Sequence, residues 1–119
     1  MANSSLTLAS REVPNGPKVV ELNGSLSLET VSGFNRDLRE EAAPNLLLDF
    51  TNVTWFDSAG VGALVQLLVR RAKVNHTIAL AGLSVRNRAV LEVAQVLKLF
   101  KVYPSADEAE KAFAASGTF

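Results

Sequence analysis

An aspartate and a serine stand side by side at the start of the most regular helical stretch of the chain, within Val53-Thr54-Trp55-Phe56-Asp57-Ser58-Ala59-Gly60-Val61-Gly62. A hydroxyl at the mouth of a helix has two uses. If Ser58 is the N-cap, its oxygen accepts a hydrogen bond from a first-turn amide, Gly60 and Gly62 let the helix pack closely on a sheet, and nothing beyond a cap is implied. Alternatively, the exposed amides and the positive end of the helix dipole would hold a phosphate attached to Ser58. Phosphorylation would add about −1.5 to −2 charges. With the fixed charge of Asp57 beside it, the modified pair would repel an acidic or apolar surface that had docked on the bare serine. Both uses remain open on the residues alone.

Other chemistries fit poorly. The strand-to-helix serine has a superficial likeness to a nucleophile elbow, but Phe56 stands where the first glycine of Gly-x-Ser-x-Gly belongs. The single histidine, His76, follows the far end of the helix, about 22 Å from Ser58 at 1.5 Å per residue. No Ser-His pair then forms within one chain, and no catalytic residue is expected. With no ligand spacing around it His76 is a turn residue, so no metal is expected. Gly60-Val61-Gly62 lacks the spacing and the Lys-Ser or Lys-Thr ending of a phosphate loop, and no cofactor is expected. Arg86 and Arg88 read first as a solvated helix face, with contact to a phosphate or an acidic partner as the alternative. Trp55 suits an interface anchor or burial in a sheet.

The elements that position these residues are legible in the periodicity. Residues 6–13 alternate loosely, and Pro14-Asn15-Gly16-Pro17 supplies a turn, which gives a first strand and a hairpin-like return. Residues 18–23 form a β-branched second strand ending at Gly24. Leu28, Val31, Phe34 and Leu38 lie on one face of a helix over residues 27–42. Leu46-Leu47-Leu48-Asp49-Phe50 suits a central strand covered on both sides. The helix over residues 59–73 carries Val61, Leu64, Val65, Leu68 and Ala72, with Arg70, Arg71 and Lys73 complementing the dipole in its last turn. A strand over residues 77–81 ends at Gly82, and a helix over residues 85–94 carries Val85, Ala89, Val90 and Val93. Val102-Tyr103 makes a last strand, and Ser105-Ala106-Asp107-Glu108 opens a C-terminal helix with a capping box. The expected fold is α/β, a mostly parallel central sheet of about five strands with an antiparallel N-terminal strand and about four helices.

Composition narrows the partners. A chain of 119 residues suits one domain, expected over residues 5–115 with flexible termini at 1–4 and 116–119. Twelve basic and twelve acidic side chains leave no net charge to draw the protein onto nucleic acid or an anionic membrane. Cysteine is absent, which removes disulfides, thiol catalysis and thiolate metal sites. No leader-like start and no spanning apolar run is seen, so the expected location is cytoplasmic, without membrane insertion.

The chain resembles the STAS domain, the fold of sulfate-transporter C-terminal regions and of bacterial anti-sigma factor antagonists. The resemblance rests on Val19-Val20-Glu21-Leu22-Asn23-Gly24, Leu46-Leu47-Leu48-Asp49-Phe50, the segment from Val53 to Leu64, and Ile78-Ala79-Leu80-Ala81-Gly82-Leu83-Ser84. Its most specific part is Asp-Ser-x-Gly after a hydrophobic strand. It implies that Ser58 is phosphorylated by a partner that is both an anti-sigma factor and an ATP-dependent serine kinase, and that a serine phosphatase reverses this. It also implies that the unphosphorylated form binds the kinase and frees the sigma factor. Asp57, Ala59, Gly60 and the loop of Ser25, Leu26 and Ser27 would form the partner-binding face of a monomer or weak dimer. Many antagonists carry Gly-Glu-Leu-Asp where this chain has Gly24-Ser25-Leu26-Ser27. The usual glycine-rich turn after the long helix is replaced by Val74-Asn75-His76, in which Asn tolerates the left-handed conformation. The alternative role within the same family is a non-phosphorylated accessory subunit of a transport ATPase or a sensor complex. Neither role is enzymatic.

Overall fold

Alternation along three neighbouring strands divides the apolar side chains between two layers. A computed structural model, which describes residues 5–119, forms these strands as β2 (Lys18–Leu26), β3 (Asn45–Phe56) and β4 (Thr77–Ala81). Val20, Leu22, Leu46, Leu48, Ile78 and Leu80 join one core cluster, while Val19, Leu47, Ala79 and Ala81 join the other. Strand β1 (Leu6–Glu12) lies antiparallel to β2, and β5 (Lys101–Tyr103) lies parallel to β4 at the opposite edge. The sheet order is β1-β2-β3-β4-β5.

Four α-helices of the described residues cover this sheet. Phe34 of α1 (Val31–Leu38), Leu64 and Leu67 of α2 (Ser58–Lys73) and Leu91 of α3 (Val85–Val93) pack into the larger cluster. Ala109 of α4 (Ala106–Ser116), which follows β5, closes the smaller one. The architecture is the one expected from the periodicity. The expectation of flexibility at residues 1–4 concerns positions outside those described. At the other end, the Phe119 ring meets Phe113 at 5.1 Å and Tyr103 at 5.8 Å.

Among the boundaries that differ from the sequence reading, three have a clear local reason. Strand β2 does not end at Gly24 but continues to Leu26, through a register shift at Gly24 and Ser25. Gly24 has φ +117, and a Cβ there would stand 2.3 Å from the Ser5 carbonyl oxygen, so only glycine fits this bulge. Helix α1 starts at Val31 rather than in the Ser27 region. The Thr30 hydroxyl accepts the Ser27 N–H at 2.9 Å and reaches the Ser25 carbonyl at 2.8 Å, which holds residues 27–30 in a turn and leaves Leu28 71% exposed rather than on the helix's core face. Strand β3 runs on to Phe56, outrunning β4, whose pairing with it stops at Asp49.

Arg71 also departs from expectation. It is buried, and its guanidinium donates to the carbonyls of Glu41, Ala43 and Thr77, clamping the chain before β3 to the start of β4. The turn after α2 does use asparagine, with Asn75 at φ +60.

Candidate functional site

Strands β2 and β3 finish together, with Leu26 paired to Phe56, so the segments leaving them emerge side by side. Asp57 joins the two. In extended conformation it is the N-cap of α2, one carboxylate oxygen accepting the Gly60 N–H at 3.1 Å and the other the Leu28 N–H at 3.3 Å. The cap is therefore Asp57, and not Ser58 as the spacing suggested. A carboxylate reaches two amides at once where a hydroxyl would satisfy one.

Ser58 becomes the first residue of the helix and is exposed. Its hydroxyl has no hydrogen-bond partner among the described residues. The Gly60 N–H is taken by the cap and the Val61 N–H by the Asp57 carbonyl, so the remaining first-turn amides lie at the open, positive end of α2. Ala59 is half-buried, and Gly60 is buried. A Cβ at Gly60 would stand 2.3 Å from the Leu26 carbonyl oxygen and 3.0 Å from the Phe56 ring, so its absence lets α2 start directly on the end of β2.

Ser25, Leu26 and Ser27, expected at the docking face, have at most 2% of their surface exposed. The residue this segment exposes is Leu28, whose N–H is held by the Asp57 carboxylate. The reason is the turn just described: continuation of β2 puts Ser25 and Leu26 inside, and Thr30 folds Ser27 back over them.

On the other flank, the beginning of α3 is fixed to the overhanging end of β3. The buried Asn87 side chain donates to the Val53 carbonyl at 3.3 Å, a group that β4 no longer reaches, while the Ser84 hydroxyl caps α3 by accepting the Asn87 N–H at 3.0 Å. Sequence reasoning passed over Asn87; Ser84 three residues before it, a cap signature, was the available signal. This anchoring sets the Arg86 guanidinium 4.4 Å above the ring of Trp55, which is 38% exposed. Arg88 instead pairs with Glu92 at 3.4 Å in solvent.

Between α2 and α3 lies an open groove of about 710 Å³ that includes Ser58, Val61, Gly62, Arg86, Ala89 and Val93. Of α3, only Asn87 and Leu91 are fully buried; Val90 is half-buried against the core, while Val85 at 90% and Val93 at 84% exposure point outward. A contiguous apolar surface beside an unbonded hydroxyl suits docking of a protein. Both Asp57 oxygens hold amides, and His76 lies past the other end of α2. Among the described residues no group of three or more His, Asp or Glu could hold a metal ion, and no helix is long and apolar enough to cross a membrane.

A family model described as STAS domain matches residues 9–109. No curated protein sequence gives a significant match. Among solved structures, an anti-sigma factor antagonist from Mycobacterium paratuberculosis is similar with a TM-score of 0.81 at 22% identity, covering 93% of this chain and 96% of that one. A sulfate transporter family protein from Wolinella succinogenes gives 0.77 at 22% identity, covering 88% and 90%. The Bacillus cell fate determinant SpoIIAA in its phosphorylated form gives 0.67 at 20% identity, covering 87% and 96%. At these identities the likeness is one of fold.

Proposed function

The chain belongs to the STAS domain family, and from that premise we propose that it is an anti-sigma factor antagonist, a binding protein switched by phosphorylation of Ser58. The observation that carries this reading is the exposed, unbonded Ser58 hydroxyl at the first turn of α2, on the edge of an apolar groove. One structural neighbour is an anti-sigma factor antagonist and another is SpoIIAA in its phosphorylated form, which supports the same reading.

In the unmodified state the partner, an anti-sigma factor that is also a serine kinase, docks on Leu28, Ser58 and the groove and gives up its sigma factor. Asp57, Ala59 and Gly60, with Ser25, Leu26 and Ser27 beneath the surface, shape this face by holding Leu28 and Ser58 in position. The Ser58 oxygen then attacks the γ-phosphorus of the partner's ATP; the new O–P bond forms as the bond to the bridging oxygen of ADP breaks. The hydroxyl proton passes to a base on the kinase, since the Asp57 carboxylate is committed to two amides. The protein itself supplies an acceptor and no catalysis.

The phosphate rests at the positive end of α2, so the fold needs little rearrangement to hold it. Its charge, added to that of Asp57, expels the partner, and a serine phosphatase restores the binding form. This exchange takes place in the cytoplasm, on a single domain over residues 5–115 that works as a monomer or weak dimer.

Intact-mass analysis of wild type and Ser58→Ala, incubated with ATP and candidate kinases of the source organism, tests the proposal. One phosphate on wild type and none on the alanine form supports it. The second reading, an accessory subunit of a transport ATPase or sensor complex, draws on the absence of carboxylates at Ser25 and Ser27. Copurification with such a complex, without phosphate at Ser58, would favour it.

A further inference from the structure

Of the residues lining the groove beside Ser58, Arg86 alone is charged. It makes no ion pair among the described residues, and its guanidinium lies 4.4 Å over the Trp55 ring. Its neighbour Arg88 is occupied by Glu92, so Arg86 is the uncommitted cation of this surface. Its backbone, by contrast, is fixed: Ser84 caps the helix that carries it, and Asn87, the next residue, is bonded to the Val53 carbonyl. Trp55 is held in β3 by pairing with Ser25 of β2. Only the Arg86 side chain is left a choice, between the indole face and the groove it also lines.

Resting on the phosphoserine reading above, we propose that Arg86 is the internal reader of Ser58 phosphorylation, leaving the Trp55 ring to pair with the phosphate across the mouth of the groove. A guanidinium meets a phosphate through two parallel charge-assisted hydrogen bonds, an arrangement stronger than its contact with a half-exposed ring. Phosphorylation then does more than add charge. The moving side chain covers part of the apolar groove, where Val61 and Ala89 would otherwise meet a partner, and uncovers the indole. The signal is thus spread from one hydroxyl to the whole docking face without a change of fold.

Trp55 is the only tryptophan of the chain, so its fluorescence reports the stack directly. Phosphoserine installed at position 58 during translation makes the test independent of any kinase. In the wild-type chain phosphoserine is expected to raise the acrylamide quenching constant of Trp55 about twofold, because the ring loses its guanidinium cover. Arg86→Ala is expected to show the raised value in both forms, and Arg86→Lys, which keeps the charge but lacks the fork, to respond only in part. Phosphorus NMR gives a second readout. The second ionisation of the phosphate, near pH 6 for phosphoserine, is expected at lower pH in wild type than in Arg86→Ala; Asp57 raises it in both and cancels from the difference.

Arg86 is exposed, so these variants retain the fold. Quenching unaffected by phosphoserine in wild type, or one phosphate midpoint shared by wild type and Arg86→Ala, overturns the proposal. An Arg86-dependent response in a protein that no kinase modifies supports the latch and removes the switching function. Modification by a kinase without the response removes the latch and keeps the switch.

Discussion

The Asp57 carboxylate accepts the backbone N–H of Leu28 at 3.3 Å, tying the turn after β2 to the start of α2, where its other oxygen holds the Gly60 N–H at 3.1 Å. One side chain thereby fixes both the exposed leucine and the serine proposed to be modified. Replacing it with alanine should cost about 1–2 kcal/mol, the loss of a cap and of a second charge-assisted bond. Urea denaturation measures this. Amide exchange should quicken at Leu28 and Gly60, and Asp57→Asn, which keeps one acceptor oxygen, should lose less than alanine does.

The two glycines of the first turns of α2 should respond in opposite directions. At Gly60 a methyl group would sit 2.3 Å from the Leu26 carbonyl oxygen, backbone that cannot swing aside, whereas at Gly62 nothing lies within 4 Å. Gly60→Ala should destabilise by about 1–3 kcal/mol through overpacking. Gly62→Ala should stabilise by roughly 0.5–1 kcal/mol through helix propensity. Thermal melts of the two variants compare them directly, and equal effects would contradict the packing described.

Acid should act partly through Glu41. Burial pushes its carboxyl up, but the Lys18 hydrogen bond, the Ala43 N–H and the charges of Lys18 and Arg71 outweigh burial and hold it below the ordinary carboxylate value. A carboxyl depressed on folding stabilises the fold above its unfolded pKa of about 4.3, and the contribution is lost as pH falls through the folded value. Glu41→Gln should therefore be less stable than wild type near neutrality. The two stability curves should converge as pH falls below about 4.

The outward stripe on α3 separates folding from binding. Val93 is 84% exposed and lines the groove, so Val93→Lys should change stability by no more than about 0.5 kcal/mol. If the groove receives the partner, the same change should weaken kinase binding about tenfold or more, the cost of a lysine placed against an apolar surface. Unchanged affinity would move the docking face elsewhere.

The layers of this fold were open to reading because alternation in Val19 to Leu22, Leu46 to Phe50 and Ile78 to Ala81 states which side chains share a face, and that survives any detail of the loops. The site was legible to the segment but not to the residue. Asp57 and Ser58 are both good caps, and which one caps depends on whether a second amide, that of Leu28, comes within reach from another strand. Leu28 looked like the first core residue of α1 because its spacing is helical; a threonine side chain three-dimensionally close to two backbone groups turned it outward. The valines of α3 show the same limit. Helical spacing marks an apolar stripe, but only the position of α2 and β3 decides that Leu91 goes inside while Val93 faces solvent.

The central claim is that a phosphate on Ser58 governs partner binding. Its most direct test is the affinity of the isolated anti-sigma kinase for the full chain carrying serine, and then phosphoserine, at position 58. Binding of the serine form about 100-fold tighter, roughly 2.7 kcal/mol, is the expected result. Equal affinity of the two forms would contradict the switch.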